Sequence, residues 1–237
     1  MERVLVTRPQ ASATRTAEKL SAHGYRPLVL PLTRIQALSL DEWPDPREYD
    51  AIAITSANAV THIPSTLVEK LTTLPSYAVG ERTNEAARSV GLKVAGTGPG
   101  DAEGLVRHIV ETLTPGLNIL VLCGRVRRNI LEHGLRETGF HPAILETYDT
   151  LVLSPSDAEL TTILASEPVD AVLLHSASAA KAYSRLLARV SIAPLFKNAR
   201  VIAISGRVAQ CLPQPAFVHI AAEPTEESMF SLLAKTK

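Results

Sequence analysis

Small hydroxyl-bearing residues follow an aliphatic run at two places in the chain, in nearly the same wording. Residues 49–60 read YDAIAITSANAV, and residues 169–180 read VDAVLLHSASAA. Ser56 of the first phrase recurs as Ser176 at a spacing of 120 positions, as do the aspartate and the alanine that flank it. A serine at such a point can cap the next helix, and with the helix N–H groups it can also bind an anion. Both interpretations are open for each phrase.

The other candidate binding residues share this setting, because each follows a predicted strand near the start of a predicted helix. In an open parallel sheet the ligand crevice lies beyond the carboxyl ends of the strands, where helices present unpaired N–H groups. The candidates are Thr7, Arg8, Ser56, Ala57, Asn58, Gly80, Arg82, Thr83, Ser176, Ala177, Ser178, Ser205, Gly206 and Arg207. Capping alone would account for Ser56, Asn58, Ser176 and Ser178. Their shared position favours an anion-binding role as well.

The densest basic stretch of the chain is CGRVRRN, at residues 123–129. Its arginines follow a predicted strand at the start of a predicted helix, where positive charge is unfavourable for the helix dipole. A bound anion would remove that penalty, although a solvated helix start is an equally simple explanation. We add Gly124, Arg125 and Arg128 to the candidate binding residues.

Motifs for the common cofactors and nucleophiles are missing from the sequence. The glycine-rich GTGPG at residues 96–100 lacks the spacing of a dinucleotide fingerprint, and neither a Walker motif nor a GxSxG turn occurs. The seven histidines lack metal-ligand spacing; only His175 stands where it would meet a ligand, and a structural role is the favoured interpretation for it. Cys123 and Cys211 are predicted to be buried free thiols. We expect no cofactor and no metal.

The composition is typical of a globular protein. Of 237 residues 46% are hydrophobic, and 24 basic residues balance 24 acidic ones. No overall positive field would attract nucleic acid or a membrane surface, so any anionic ligand must be held by local groups. The chain has no apolar run near the roughly 20 residues of a membrane span and no signal-peptide core at its start. We expect a soluble, cytoplasmic protein, and a monomer because aromatic anchors of interfaces are scarce.

A longer repeat surrounds the duplicated phrase. Residues 3–33 are echoed by 118–148 at a spacing of 115, and 77–83 by 202–208 at a spacing of 125. Three blocks in the same order indicate two related halves. Aliphatic runs predict strands near 3–7, 27–31, 51–55, 76–80, 93–95, 118–122, 143–147, 170–174, 200–204 and 217–221. Helices are predicted at 11–22 and 126–138, ending at Gly24 and Gly139.

Alternating strands and helices predict an α/β fold with parallel sheets covered on both faces. Five strands in each half favour a flavodoxin-like sheet formed twice. Two extended segments remain, PLTRI at residues 31–35 and ETYDT at residues 146–150. They are either ordinary loops or paired connectors between two domains.

The motifs LVTRP, GYRPLVLPL, DAIAITSANAV, YAVGERTNEAA, ILVLCG, ETYDT, HSASAA and AISGRVA occur in this order over nearly the whole chain. In this order and spacing the sequence resembles the uroporphyrinogen-III synthase family. The resemblance implies two flavodoxin-like domains with parallel five-stranded sheets, residues 1–35 with 150–237 and residues 36–149. It also implies a two-stranded connector near 31–35 and 146–150, with the two serine rims facing each other across a cleft.

The family's substrate is hydroxymethylbilane, a linear tetrapyrrole with many carboxylates, which the enzyme closes to uroporphyrinogen III with inversion of ring D. The resemblance therefore implies a cofactor-free lyase of tetrapyrrole biosynthesis, a pathway that feeds haem, and transient contact with the preceding pathway enzyme. The family's connector tyrosine matches Tyr148, which would donate a proton to the departing hydroxyl. Thr83 matches the family's small residue at a helix start.

Two alternatives of other classes are also open. The chain is then either a non-catalytic module that binds a tetrapyrrole or another anion on the same fold, or a phosphate-binding enzyme without a phosphate loop. Two departures from the family's pattern bear on this choice. Cys123 stands where an arginine is often found, and Val208 stands where a threonine is common.

Overall fold

The computed structural model of the chain describes residues 1–40, 44–213 and 218–234. The chain divides into two compact units, of which unit 1 is Met1–Arg34 with Leu151–Lys237 and unit 2 is Ile35–Thr150. Phe217, the first residue of the strand predicted at 217–221, lies outside the described residues.

Strands form wherever the sequence has a predicted aliphatic run, and one further strand forms at the PLTRI segment. The strands are β1 (Arg3–Val6), β2 (Arg26–Val29), β3 (Thr33–Ala37), β4 (Ala51–Ile54), β5 (Pro75–Ala78), β6 (Lys93–Thr97), β7 (Asn118–Gly124), β8 (His141–Val152), β9 (Ala171–Leu174), β10 (Arg200–Ala203) and β11 (Val218–Ile220). All residues of β1, β4 and β9 are buried. Burial of every residue is expected of parallel strands that are covered on both faces.

Most helices lie between one strand and the next along the chain, and the last described helix follows the last described strand. They are α1 (Gln10–Ala22), α2 (Ala57–Thr61), α3 (Ser65–Leu71), α4 (Glu81–Ser89), α5 (Ala102–Thr112), α6 (Ile130–Glu137), α7 (Asp157–Leu164), α8 (Ala177–Leu187), α9 (Gly206–Ala209) and α10 (Glu226–Ala234). Short 3₁₀ turns occur at Pro46–Glu48 and Ala193–Phe196. The predicted glycine stops are confirmed, since Gly24 and Gly139 have φ of 80° and 84°, a conformation that glycine adopts without strain.

Unit 1 contains a sheet of five strands in the order β11-β10-β9-β1-β2. Every pair of neighbours in it is parallel. Counted along the chain within the unit, this order is 2-1-3-4-5, which is the flavodoxin-like order. The predicted fold class and the five-stranded parallel sheet are therefore confirmed for this unit.

The sheet of unit 2 has six strands among the described residues, in the order β3-β8-β7-β4-β5-β6. Without β3 the order is again flavodoxin-like, with β7 and β8 as its first two strands although they come last along the chain. The prediction of five strands is thus one short here, because residues of the PLTRI segment pair beside β8 as β3. The open question about PLTRI and ETYDT is answered in favour of paired strands.

Register supports the duplication. Val4 of β1 lies opposite Ala171 of β9, and Ile119 of β7 lies opposite Ala51 of β4. Val4 and Ile119 are 115 positions apart, and Ala51 and Ala171 are 120 positions apart, which are two of the repeat spacings in the sequence. Each unit therefore joins the first part of one half of the sequence to the second part of the other half.

Two details differ from the sequence prediction. The second helix was predicted from residue 126, but α6 begins at Ile130, because residues 125–129 form an irregular segment in which Arg127 donates to the carbonyl of Gly124. Cys123 is a buried free thiol, whereas Cys211 is free but only half-buried.

In the described residues, none of the helices has the length and hydropathy needed to span a bilayer.

Candidate functional site

The candidate residues form one group in each unit, at the carboxyl ends of neighbouring parallel strands. In unit 1 they follow β1, β9 and β10 and are Thr7, Arg8, Ser176, Ala177, Ser178, Ser205, Gly206 and Arg207. In unit 2 they follow β4 and β5, end or follow β7, or lie in β8, and are Ser56, Ala57, Asn58, Gly80, Arg82, Thr83, Gly124, Arg125, Arg128 and Tyr148. Each group lies at the carboxyl end of one sheet, because parallel strands all end on the same side of their sheet.

Each group surrounds a topological switch point, where the chain leaves two adjacent strands in opposite directions. In unit 1 the switch point lies between β1 and β9, and in unit 2 it lies between β7 and β4. Ligands of flavodoxin-like folds bind at this point. Ser176 and Ser56 each follow a switch-point strand, so the duplicated phrase occupies the same place in both units.

The two serines of the repeated phrase cap their helices. Ser56 Oγ accepts the N–H of Ala59 at 3.2 Å, and Ser176 Oγ accepts the N–H of Ala179 at 3.1 Å. The capping interpretation is correct for both, and it leaves each hydroxyl proton available for another acceptor. Asn58 and Ser178 occupy the second helical position, so they are not the caps of these helices.

Tyr148 lies beside Ser56 in unit 2. The two hydroxyl oxygens are 3.0 Å apart, and Tyr148 is half-buried. When Ser56 donates its proton to the phenol oxygen, the phenol proton of Tyr148 is available to a ligand. The Tyr148 hydroxyl can therefore act as a hydrogen-bond donor, and the serine that caps α2 fixes its direction.

A glycine and a bulge make room for the tyrosine ring. Cys123 pairs with Glu146 and Gly124 with Tyr148, so Thr147 is the extra residue of β8. Thr147 is fully buried, and its hydroxyl donates to the carbonyl of Ala59 at 2.8 Å. A Cβ at Gly124 would lie 2.5 Å from Cζ of Tyr148, which is closer than van der Waals contact allows. The glycine is thus required by the position of the ring.

The basic stretch of residues 123–129 is largely neutralised. Arg127 donates from Nε to Glu132 at 2.5 Å and from Nη1 to Glu146 at 2.7 Å. Arg125 donates to the other oxygen of Glu146 at 3.1 Å and lies 3.7 Å from Asp149. The hydrogen bond from Arg127, followed by that from Arg125, holds the pKa of Glu146 below its ordinary value. These carboxylates, two of which are in the ETYDT motif, were overlooked in the sequence.

The prediction that these arginines crowd a helix N-terminus is therefore corrected. Arg125 and Arg128 precede α6 in the irregular segment, and Arg125 is held by carboxylates of β8. Arg128 is exposed, and no side-chain partner is found for it in the described parts of the chain. Arg82 and Arg207, which lie at equivalent positions in the first turns of α4 and α9, are also exposed.

Three candidates or related positions are buried. The hydroxyl of Thr7 is completely enclosed and donates to the carbonyl of Leu173 at 2.9 Å. Thr83 is buried in the first turn of α4. Val208, its counterpart in unit 1, is fully buried in the apolar core. The departure at Val208 thus changes the core and gives the non-catalytic alternative no support.

A charged cluster in unit 1 was also overlooked by sequence reasoning, although it includes Arg8. Glu226, at the first position of α10, accepts from Arg8 Nη1 at 2.5 Å and from Lys19 Nζ at 2.9 Å. The hydroxyl of Thr16 contacts the same carboxylate. His175 Nε2 lies 3.7 Å from it, beyond hydrogen-bond distance. We refer to Arg8, Thr16, Lys19, His175 and Glu226 as the Glu226 cluster.

Burial sets the direction of the pKa change at His175, whereas hydrogen bonds and nearby charges outweigh burial at Glu226. The pKa of His175 is lowered, chiefly because its ring is removed from water, which favours the neutral imidazole. The pKa of Glu226 is far below its ordinary value because His175, Thr16, Lys19 and Arg8 surround the carboxylate. Both ring nitrogens of His175 are buried, and neither has a hydrogen-bond partner in the part of the chain that the structure describes. Within the same residues no three His, Cys, Asp or Glu side chains are grouped as metal ligands.

Solved structures of other proteins have a similar architecture. Comparison with curated proteins gave no match. Uroporphyrinogen-III synthetase from Helicobacter pylori 26695 has a similar structure, with a TM-score of 0.71 and 21% identity over 100% of this chain and 99% of that chain. A mutant uroporphyrinogen III synthase from Thermus thermophilus has a TM-score of 0.58 and 17% identity over 99% of this chain and 98% of that chain. At these identities the likeness establishes the fold.

The family assignment comes from the sequence of the whole chain. The family model described as uroporphyrinogen-III synthase HemD matches residues 14–231, which is most of the 237 residues. The resemblance inferred from the motifs is thereby confirmed. The chain belongs to the uroporphyrinogen-III synthase HemD family, whose reaction is a step of tetrapyrrole biosynthesis.

Proposed function

We propose that the chain is a lyase that closes hydroxymethylbilane to uroporphyrinogen III, with inversion of ring D and release of one water. Family membership supports the substrate. The single structural observation that carries the proposal is the pair of Tyr148 and Ser56 at the switch point of unit 2, with their oxygens 3.0 Å apart.

Tyr148 would assist departure of the terminal hydroxyl group. The phenol donates a hydrogen bond, and then its proton, to the leaving oxygen. The C–O bond breaks, water leaves, and the resulting azafulvene cation closes through a spiro intermediate that rearranges to the inverted macrocycle. The proton lost when the last pyrrole regains its aromaticity returns to the phenolate of Tyr148. Ser56 fixes the direction of the phenol, because its own oxygen is held by the N–H of Ala59 at the start of α2.

The carboxylates of the substrate would be bound by local groups, since the chain has no net charge. The exposed cations Arg82, Arg128 and Arg207 lie at or beside the carboxyl edges of the sheets. The first turns that follow Ser56 and Ser176 add backbone N–H groups, which bind carboxylates well. We propose direct contact for these residues, and a supporting role for the enclosed Thr7 and the paired Arg125. Holding the substrate in a near-closed shape would favour inverted closure over the spontaneous uninverted reaction.

An assay with freshly prepared hydroxymethylbilane tests the function. The products are oxidised and the type I and type III isomers are separated. We expect type III to form faster than type I appears without protein. Formation of type I alone, at the spontaneous rate, would refute catalysis and leave the non-catalytic binding module as the better interpretation.

We further propose that the protein acts as a cytoplasmic monomer and meets the enzyme that makes hydroxymethylbilane only transiently. Aromatic residues, the usual anchors of permanent interfaces, are 4% of the chain. Sedimentation velocity at micromolar concentration should give a single species of about 25.5 kDa. A stable dimer would contradict this part of the proposal.

A further inference from the structure

The Glu226 cluster is unusual because it places charge and an unsatisfied imidazole inside unit 1. The side chains of Arg8, Glu226 and His175 are 20%, 15% and 9% exposed, and Thr16 is completely buried. Burying ions costs desolvation energy that their pairing recovers only in part. Buried polar atoms without a partner are rare in native proteins and call for an explanation.

The second unit shows that the fold does not need these charges. At the repeat spacing of 115, the positions of Arg8, Thr16 and Lys19 correspond to Cys123, Leu131 and Gly134 in unit 2. Cys123 and Leu131 are buried together in an apolar core cluster. These three positions are thus polar in unit 1 and apolar or glycine in unit 2, whose buried ion pair is formed by other residues, Arg127 and Glu132.

Helix capping does not explain Glu226 either. Its counterpart at the repeat spacing of 125 is Asp101, which caps α5 by accepting the N–H of Gly104 at 2.7 Å. In α10 the equivalent bond is made by Thr225, whose hydroxyl accepts the N–H of Ser228 at 3.2 Å. The carboxylate of Glu226 is directed instead at Arg8, Lys19 and Thr16.

The position of the cluster indicates what it serves. Arg8 follows β1 and His175 follows β9, so both lie at the switch point of unit 1, where a flavodoxin-like fold binds its ligand. An arginine held by one carboxylate can bind a second one at the same time, as Arg127 does with Glu132 and Glu146 in unit 2.

We propose that Glu226 is a positioning residue, which holds Arg8 at the switch point of unit 1 so that its guanidinium binds a carboxylate of the linear tetrapyrrole. The buried ring of His175 lies 3.7 Å from the same carboxylate of Glu226. This inference depends on the proposed function for the identity of the ligand.

The effect should appear in binding rather than in the chemical step. The substrate carboxylates take no part in bond making or breaking, so a contact to one of them is expected to be made equally in the ground state and the transition state. Loss of such a contact raises KM and leaves kcat nearly unchanged. A charged hydrogen bond that is weakened but not abolished corresponds to about a tenfold change.

The test compares Glu226→Gln with Glu227→Gln in the full chain. Glu227 is the next residue of α10; its side chain is 78% exposed and lies 3.6 Å from Lys19, so it is a control for loss of a carboxylate beside Lys19 that does not hold Arg8. For hydroxymethylbilane closure we expect KM to rise about tenfold in Glu226→Gln with kcat within twofold, and both constants to be unchanged in Glu227→Gln. The double variant Arg8→Ala with Glu226→Gln should have the KM of Arg8→Ala alone, because the two residues act through one contact.

Each contrary outcome is distinct. A normal KM in Glu226→Gln with a lower melting temperature would show a purely structural role, and additive effects of the two substitutions would show that Glu226 does not act through Arg8. If Glu226→Gln does not fold, Glu226→Asp keeps the charge with a shorter reach and is expected to raise KM; an unchanged KM would overturn the inference.

If the wild-type protein forms no type III isomer, the proposed function has failed. The comparison is then made on the Kd for uroporphyrin III, where equal affinities of wild type and Glu226→Gln would refute the positioning role by themselves.

Discussion

The hydroxyl of Tyr148 lies 3.0 Å from that of Ser56, and the Ser56 oxygen is itself fixed by the N–H of Ala59 at the start of α2. The phenol is therefore oriented by a helix terminus rather than by another flexible side chain. Thr147, the residue before it, is bonded to the carbonyl of the same Ala59. Two hydrogen bonds thus join β8 to α2 at the candidate site.

Replacing Tyr148 by phenylalanine should lower kcat for hydroxymethylbilane closure by about 100-fold, because it removes the proton donor and keeps the ring. The melting temperature should change little. Tyr49→Phe is the matched control, since Tyr49 is also half-buried and packs against the same core cluster; its turnover should equal that of the wild type. Near-normal turnover in Tyr148→Phe would show that the hydroxyl is not needed.

Substituting Gly124 by alanine should both destabilise the protein and reduce activity. The new methyl group would meet the ring of Tyr148 at 2.5 Å, and overpacking of this kind costs about 1–3 kcal/mol. Urea denaturation measures the loss of stability. If the ring is the cause, Gly124→Ala should cost much less in a Tyr148→Ala background, whereas an equal cost in both backgrounds would place the strain elsewhere.

Arg127→Ala should be strongly destabilising, because it leaves Glu132, which is almost fully buried, without its cation. Breaking one partner of a buried ion pair costs about 3–5 kcal/mol. Arg128→Ala is the control for stability, since the neighbouring arginine is exposed, and surface substitutions change stability by about 0.5 kcal/mol or less. Similar urea midpoints for the two variants would contradict the description of this ion-pair network.

Stability should depend on pH through Glu226, whose pKa in the folded protein is far below its ordinary value because His175, Thr16, Lys19 and Arg8 surround it. The unfolded chain takes up this proton at a higher pH than the folded chain does. The carboxylate therefore stabilises the fold above its unfolded pKa of about 4.3, and this contribution is lost as the pH falls through the lower folded pKa.

The difference in unfolding free energy between wild type and Glu226→Gln should accordingly be full at neutral pH and shrink on acidification. Urea denaturation at a series of pH values measures it, with Glu227→Gln as the exposed control. A difference that does not vary with pH would mean that the charge of Glu226 contributes nothing to folding.

Val208→Thr, which restores the residue common in the family, should not increase activity and should lower stability. The side chain at this position is fully enclosed by apolar neighbours. A hydroxyl buried there without a partner costs about 1–3 kcal/mol. Thermal unfolding checks the stability and the isomer assay checks the activity; a more active variant would show that this position does reach the ligand.

The sequence by itself determined the local structure and the family. Short aliphatic runs fixed the strands, and glycines with positive φ at Gly24 and Gly139 fixed two helix ends, because backbone sterics and the period of burial act over a few neighbouring residues. The repeat located Ser56 and Ser176 at equivalent strand ends. The helix predicted from residue 126 failed because the side chain of Arg127 folds back on Gly124, a contact that composition does not show.

Only the tertiary structure decided which charges meet and how the halves combine. Arg8 and Glu226 are 218 positions apart, and they meet because β1 pairs with β9 and α10 returns to the same sheet. The basic stretch at residues 123–129 looked like an anion site until β8 placed Glu146 and Asp149 beside it. Ion pairing and burial depend on strand order. Each unit contains parts of both halves of the sequence, and this arrangement follows from long-range strand pairing rather than from any local pattern.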